Sequence, residues 1–169
     1  MTILPSVTTA PVHDRLPSGA WSLRDVFVLP RPREEVFDFF KEARNLETLT
    51  PDFLRFRVLS PEPIVMGNGT RIDYRLRLHG LPMTWRSEII DWNPSHSFVD
   101  QQLKGPYRKW HHLHRFYDVP GGTLCEDEVT YEVLGGPLIR RLFVVRDLDR
   151  IFRYRREVLT GLFPGASEA

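Results

Sequence analysis

LIRRLFVVRDLDRIFRYRREVLTGL, residues 138–162, is the stretch that decides the fold. Leu138, Leu142, Val145, Leu148, Phe152, Leu159 and Leu162 recur at spacings of three, four and seven, which makes one broad apolar stripe on a helix. Arg140, Arg141, Arg146, Arg150, Arg153 and Arg156 occupy the other faces, with Asp147, Asp149 and Glu157 between them, and Gly161 and Pro164-Gly165 end the element. A long helix with a single apolar stripe takes its stability from packing, and here it packs across a sheet. The strands of that sheet lie upstream.

Residues 70–79 show the cleanest alternation. Ile72, Tyr74, Leu76 and Leu78 face one way, and Arg71, Asp73, Arg75, Arg77 and His79 the other, a strand buried on one side only. Turn signals at Gly67-Asn68-Gly69, Gly80-Leu81-Pro82, Asn93-Pro94-Ser95, Gly105-Pro106 and Val119-Pro120-Gly121-Gly122 divide residues 53–134 into successive strands. Turns this short imply antiparallel pairing. Ahead of them, residues 21–29 form a first strand stopped by Pro30. Pro32, Glu34 and Glu35 then open a helix with Val36, Phe37, Phe39 and Phe40 on its apolar face, and a second short helix follows at residues 45–49. The expected fold is α+β: a curved antiparallel sheet of about seven strands gripping a long C-terminal helix, with two short helices after the first strand. Between such a sheet and one helix, an aromatic-lined cavity is the natural result.

The chain has 169 residues, enough for one domain with a sizeable core. Its formal net charge of +1 gives no electrostatic case for nucleic acid as a partner. No apolar run reaches the roughly 20 residues needed to span a bilayer, so stable membrane insertion is not expected. The lone Cys125 has no internal disulfide partner, and a cytoplasmic setting is expected. Residues 1–19, interrupted by Pro5, Pro11 and Pro17, read as a flexible tail, residues 20–163 as the domain, and residues 164–169 as a C-terminal tail.

Candidate chemistry is concentrated in residues 105–117, GPYRKWHHLHRFY. In a strand alternate side chains share a face. A four-residue loop at residues 119–122 pairs Asp118 with Thr123, and so Phe116 with Cys125, His114 with Asp127, His112 with Val129, and Trp110 with Tyr131. That register turns Arg108, Trp110, His112, His114 and Phe116 inward and leaves Lys109, His111, Arg115 and Tyr117 outside. A slip of one residue would bury Lys109 and Arg115 instead.

His112, His114 and Asp127 then form a polar spot in an apolar cavity, and Arg108, Asp100 and Gln102 are further polar candidates. Tyr74, Trp85, Phe98, Trp110, Phe116, Tyr131 and Phe152 supply the wall, and Arg155, three residues past Phe152, lies within reach of an anionic ligand head. His114 and Asp127 read first as a structural pair that fixes register, then as a ligand anchor, and last as an acid–base pair. His112, His114 and Asp127 also suit a metal by residue type, but a cross-strand His–Asp pair explains them without one, and neither metal nor cofactor is expected.

The element order resembles the SRPBCC superfamily, the START-like group that includes polyketide cyclase/dehydrase-like proteins, Bet v 1-type allergens and coenzyme Q-binding proteins. The Leu29-Pro30-Arg31-Pro32-Arg33-Glu34-Glu35-Val36-Phe37 start of the first helix, the Gly67-Asn68-Gly69-Thr70 turn and the Gly105-Pro106-Tyr107…His111-His112 run carry the likeness. The resemblance implies a helix-grip fold with a hydrophobic-ligand cavity. It leaves three readings: a binder of a lipid, quinone, polyketide or aromatic metabolite, a cyclase/dehydratase-type enzyme using the His/Asp pair, and a protein-interaction module using the arginine-rich helix.

Overall fold

The computed structural model describes residues 4–165; residues 1–3 and 166–169, parts of the two expected tails, lie outside the described residues. Eight strands make one antiparallel sheet: β1 (Val12–Arg15), β2 (Trp21–Leu29), β3 (Arg57–Val58), β4 (Arg71–Leu78), β5 (Leu81–Asn93), β6 (Ser97–Lys104), β7 (Tyr107–Val119) and β8 (Gly122–Val133), in the order β1-β2-β8-β7-β6-β5-β4-β3. Helices α1 (Arg33–Phe40) and α2 (Asn45–Thr48) carry the chain from β2 to β3, near opposite sides of the sheet. At the C-terminus α3 (Gly136–Ile139), a π-helical turn (Arg140–Val144) and α4 (Val145–Leu162) run on as one helical segment.

The strand count is eight rather than about seven. The additional strand, β1, lies in the stretch expected as a flexible tail: Val12–Arg15 pairs along β2, His13 Nε2 contacts Asp149 Oδ1 at 2.9 Å, and Thr8 accepts from the Val26 amide at 3.0 Å. Its polar composition, VHDR between prolines, hides it from a periodicity argument. The run at residues 53–59, read as one strand, is a 3₁₀ turn (Asp52–Leu54) followed by only two paired residues, with Arg55 in the left-handed region at φ 44°.

Leu148, Phe152, Arg155 and Leu159 form the buried stripe of α4, at heptad spacing. Each fully buried apolar side chain of this size contributes about 1.5–3 kcal/mol. Upstream the stripe loses phase. The π-turn holds more residues per turn than an α-helix, so Leu138 and Leu142 are exposed while Arg140 is buried over the Trp21 ring at 3.6 Å. Leu162, at the other end, is also exposed.

The β7–β8 hairpin has the expected register throughout: Asp118 opposite Thr123, Phe116 opposite Cys125, His114 opposite Asp127, His112 opposite Val129 and Trp110 opposite Tyr131. Gly122 pins it. A Cβ there would lie 2.1 Å from the Leu29 carbonyl oxygen, so only glycine lets β8 begin this close to the end of β2.

Candidate functional site: a cavity with a buried His–Asp–Arg cluster

A cavity of about 180 Å³ lies between the sheet, α4 and the α1–α2 connection. Tyr74, Trp85, Phe98, Asp100, Trp110, His112, His114, Phe152 and Arg155 line it. The strands place them by alternation. Tyr74 comes from β4, Trp85 from β5 and Asp100 from β6, opposite His112, while Phe98 on β6 stands opposite His114 with the two rings stacked 4.4 Å apart.

Asp127 holds the polar cluster together. Its Oδ1 accepts from His112 Nε2 at 2.9 Å and from His114 Nδ1 at 2.7 Å, and Arg155 Nε lies 3.4 Å from Oδ2. All four side chains are buried. Burial alone would raise the Asp127 carboxyl, but the Arg155 charge, His114 and the two imidazole hydrogen bonds hold it well below the usual carboxylate range. Burial, reinforced by the charge of His112 nearby, pushes His114 down to about 3, so its imidazole is neutral. An ionised carboxylate only accepts, so His114 carries its proton on Nδ1. The 3.5 Å approach of Arg155 Nη2 to that same Nδ1 is then a contact between two donors rather than a hydrogen bond. His112, His114 and Asp127 group potential metal-ligating atoms within 4.8 Å of one another, but the Arg155 guanidinium already supplies the positive charge beside Asp127.

Asp100 is held differently. Its Oδ1 is buried without a hydrogen-bond partner, and burial raises the carboxyl although Ser87, His112 and Arg155 all act the other way.

Five expected site residues lie outside the cavity: Asp127, which touches the wall residues His112, His114 and Arg155 without lining the space itself, and four others. Arg108 is exposed because β7 carries a bulge there: Tyr107 faces Val133 and Lys109 faces Glu132, so Arg108 has no opposite residue. The extra residue swings Arg108 out and brings Tyr107 into the cavity wall. Gln102 is folded back into the β6–β7 turn, where its amide donates to the Tyr107 carbonyl at 2.8 Å. Phe116 packs under α1, its ring centroid 4.9 Å from Phe40. The Tyr131 hydroxyl accepts from Arg140 Nε at 3.0 Å, away from the cavity. Because Arg108 is exposed and no ion pair involves it among the described residues, Arg108→Ala is expected to shift stability by no more than about 0.5 kcal/mol, read by thermal unfolding.

Several wall residues were not singled out from the sequence. Phe39 and Phe40 enter from α1, Ile72 from β4 and Ser87 and Ile89 from β5. Ile72 was readable as inward from its alternation. Phe39 and Phe40 carried only a helix-face signal, which does not say what the helix covers.

The comparisons agree with this architecture. A family model described as polyketide cyclase / dehydrase and lipid transport matches residues 29–151. A comparison with curated protein sequences gives no match. Among solved structures, the protein Ms6760 from Mycobacterium smegmatis is similar at a TM-score of 0.65 and 18% identity, covering 91% of this chain and 98% of its own. Ginseng major latex-like protein 151 from Panax ginseng aligns at 0.63 and 11%, covering 85% and 97%. Ara h 8.0201 aligns at 0.57 and 14%, covering 85% and 99%. At these identities the likeness is one of fold. No helix among the described residues is long and apolar enough to cross a membrane. With the match spanning most of the chain and the sheet gripping the C-terminal helix, this protein belongs to the polyketide cyclase / dehydrase and lipid transport family.

Proposed function

We propose that the protein binds a small apolar or amphipathic molecule, of the lipid, quinone, polyketide or aromatic-metabolite kind, in the cavity under α4. The observation that carries this reading is the cavity itself, an aromatic-walled space one of whose wall residues, Asp100, holds a buried, unpartnered polar atom. Tyr74, Trp85, Phe98, Trp110 and Phe152 form the apolar contact surface, and His112 and Asp100 orient the polar end. Asp127 ties His114 and Arg155 together at that end of the cavity. At about 180 Å³ the space suits roughly one ring or two small fused rings, below the span of a drug-sized pocket. A cytoplasmic setting belongs to the same reading, in keeping with the single free cysteine.

The alternatives draw less support. A general base works best with a pKa near the operating pH, and His114, pushed down to about 3, is a poor one. Several arginines of the C-terminal helix are already engaged within the fold: Arg140 on Trp21, Arg150 over Phe53 and Arg156 with Asp25.

The test is to extract protein purified from cells and identify the released molecule by mass spectrometry. A small apolar compound released in near-stoichiometric amount is the expected result. No bound compound, together with no affinity for hydrophobic dyes or lipids, overturns the reading.

A further inference from the structure

We propose that the cavity selects ligands bearing a neutral hydroxyl, phenolic, enolic or alcoholic, that donates a hydrogen bond to Asp100 Oδ1, and disfavours carboxylates of the same shape. This rests on the ligand-binding reading and adds to it the chemistry of the ligand head.

Three buried side-chain polar atoms among the described residues lack a hydrogen-bond partner: Arg33 Nε, Asp100 Oδ1 and Arg155 Nε. Arg33 lies outside the cavity, ion-paired to Asp118 at 2.9 Å. The other two belong to residues of the cavity wall. Buried polar groups are nearly always satisfied, so two such atoms at one cavity mark what its occupant provides. They are not equivalent. The charge of Arg155 is balanced by Asp127, 3.4 Å away. No cation lies within ion-pair distance of Asp100 among the described residues, and its strand neighbours, Ile89 on β5 and His112 on β7, leave Oδ1 buried without a hydrogen-bond partner. His112 faces it as well, but its Nε2 is already committed to Asp127.

The partners around the cluster determine which head fits. Asp127 pairs with Arg155 and His112, and the carboxylate oxygen left without a partner at the cavity is Asp100 Oδ1. A ligand carboxylate has no hydrogen to offer Asp100 Oδ1, and would bring a negative charge out of water beside Asp127, whose guanidinium partner is already engaged. An ammonium could donate, but must leave water to enter an aromatic-walled space. A hydroxyl donates without carrying charge, and its oxygen still accepts. The remaining acids at the cavity are placed elsewhere: Asp147 pairs with His79 at 2.8 Å, and Glu42 is exposed.

Four probes that share a ring system separate these possibilities: 2-naphthol, naphthalene, 2-naphthoate and 2-(aminomethyl)naphthalene, each titrated by fluorescence against the full chain. The full chain is expected to bind 2-naphthol about tenfold or more tighter than naphthalene, the gain of one hydrogen bond to an otherwise unpaired buried acceptor, and 2-naphthoate more weakly than naphthalene. In Asp100→Leu the naphthol-to-naphthalene ratio falls to about one, and in Asp100→Asn, which keeps a carbonyl oxygen, part of the preference remains. Equal binding of 2-naphthol and naphthalene by the unaltered chain overturns the inference while leaving the ligand-binding reading intact. So does a tightest affinity for the carboxylate or the ammonium, or a preference unchanged in Asp100→Leu. Failure of all four to bind overturns both. The comparison within the unaltered chain decides the matter even if the variants do not fold.

Discussion

Asp127→Asn is expected to lower the free energy of unfolding by about 3–5 kcal/mol, the usual cost of removing one partner from a buried ion pair. The change keeps the size of the side chain and an acceptor oxygen for His112 and His114. What it removes is the charge opposite Arg155, whose side chain is 8% exposed and 3.4 Å away. A guanidinium cannot lose its proton, so the penalty cannot be relieved by neutralisation. The partner variant makes the assignment specific. Arg155→Met leaves an uncompensated buried carboxylate and is also destabilising, whereas Asp127→Asn combined with Arg155→Met removes both charges and costs less than the two single changes summed. Urea unfolding of the singles and the pair measures this. A cost near zero for Asp127→Asn would mean that the cluster is not a coupled unit.

Acidification is expected to destabilise the protein well above the range where carboxylates titrate. His114 has its pKa lowered from 6.5 to about 3 by burial, so between those values the unfolded chain binds a proton that the folded chain refuses. Stability from this group is fully present above about pH 6.5 and declines as the pH falls toward 3, with a slope of up to about 1.4 kcal/mol per pH unit. Asp127, held low, adds to the loss only below its unfolded value of 3.8. Asp100 and Asp25, both raised by burial, act in the opposite sense just above 3.8, because there the folded chain binds the extra proton. The net profile therefore falls most clearly in the upper part of the window, where His114 acts alone among these four groups. Denaturant midpoints measured from pH 8 to pH 5 in the parent and in His114→Gln test this: the slope below pH 6.5 is expected to flatten in the variant. An unchanged slope would assign the acid sensitivity to another group.

The first of these predictions depends on Arg155, and its case shows what kind of information the sequence holds. The register of β7 against β8 was readable, since Pro120-Gly121-Gly122 fixes the turn and alternation does the rest; hence the pairing of His114 with Asp127 was available from the chain alone. The position of Arg155 near the buried stripe was also available, but its choice of Asp127 over a ligand depends on how α4 lies across the sheet, which no local pattern encodes. Counting by twos fails wherever a residue is inserted. The bulge at Arg108 reverses the face of everything before it, so Tyr107 took the inward place expected of Arg108. Counting by 3.6 fails in the same way at the π-turn, where the apolar stripe expected through Leu138 and Leu142 gives way to a buried Arg140. Gln102, Phe116 and Tyr131 do not line the cavity because a turn, α1 and Arg140 respectively engage them. Those are tertiary neighbours, invisible to periodicity. The aromatic wall was legible as a set because half-buried strands of one sheet must turn their large apolar residues the same way.

The short strand β1 also bears on how copies of the protein meet one another. Without it, β2 would present an unpaired row of amides and carbonyls along Trp21–Leu29, a nine-residue template onto which another chain could hydrogen-bond. Val12–Arg15 covers part of that row with mostly exposed polar residues, and the Thr8 amide reaches the Val26 carbonyl farther along. At the opposite margin the two residues Arg57–Val58 pair with Arg75 and Tyr74 of β4. The N-terminal stretch thus acts as a guard against edge-to-edge aggregation, and a chain beginning at Trp21 would lack that guard while keeping the cavity's own residues in place.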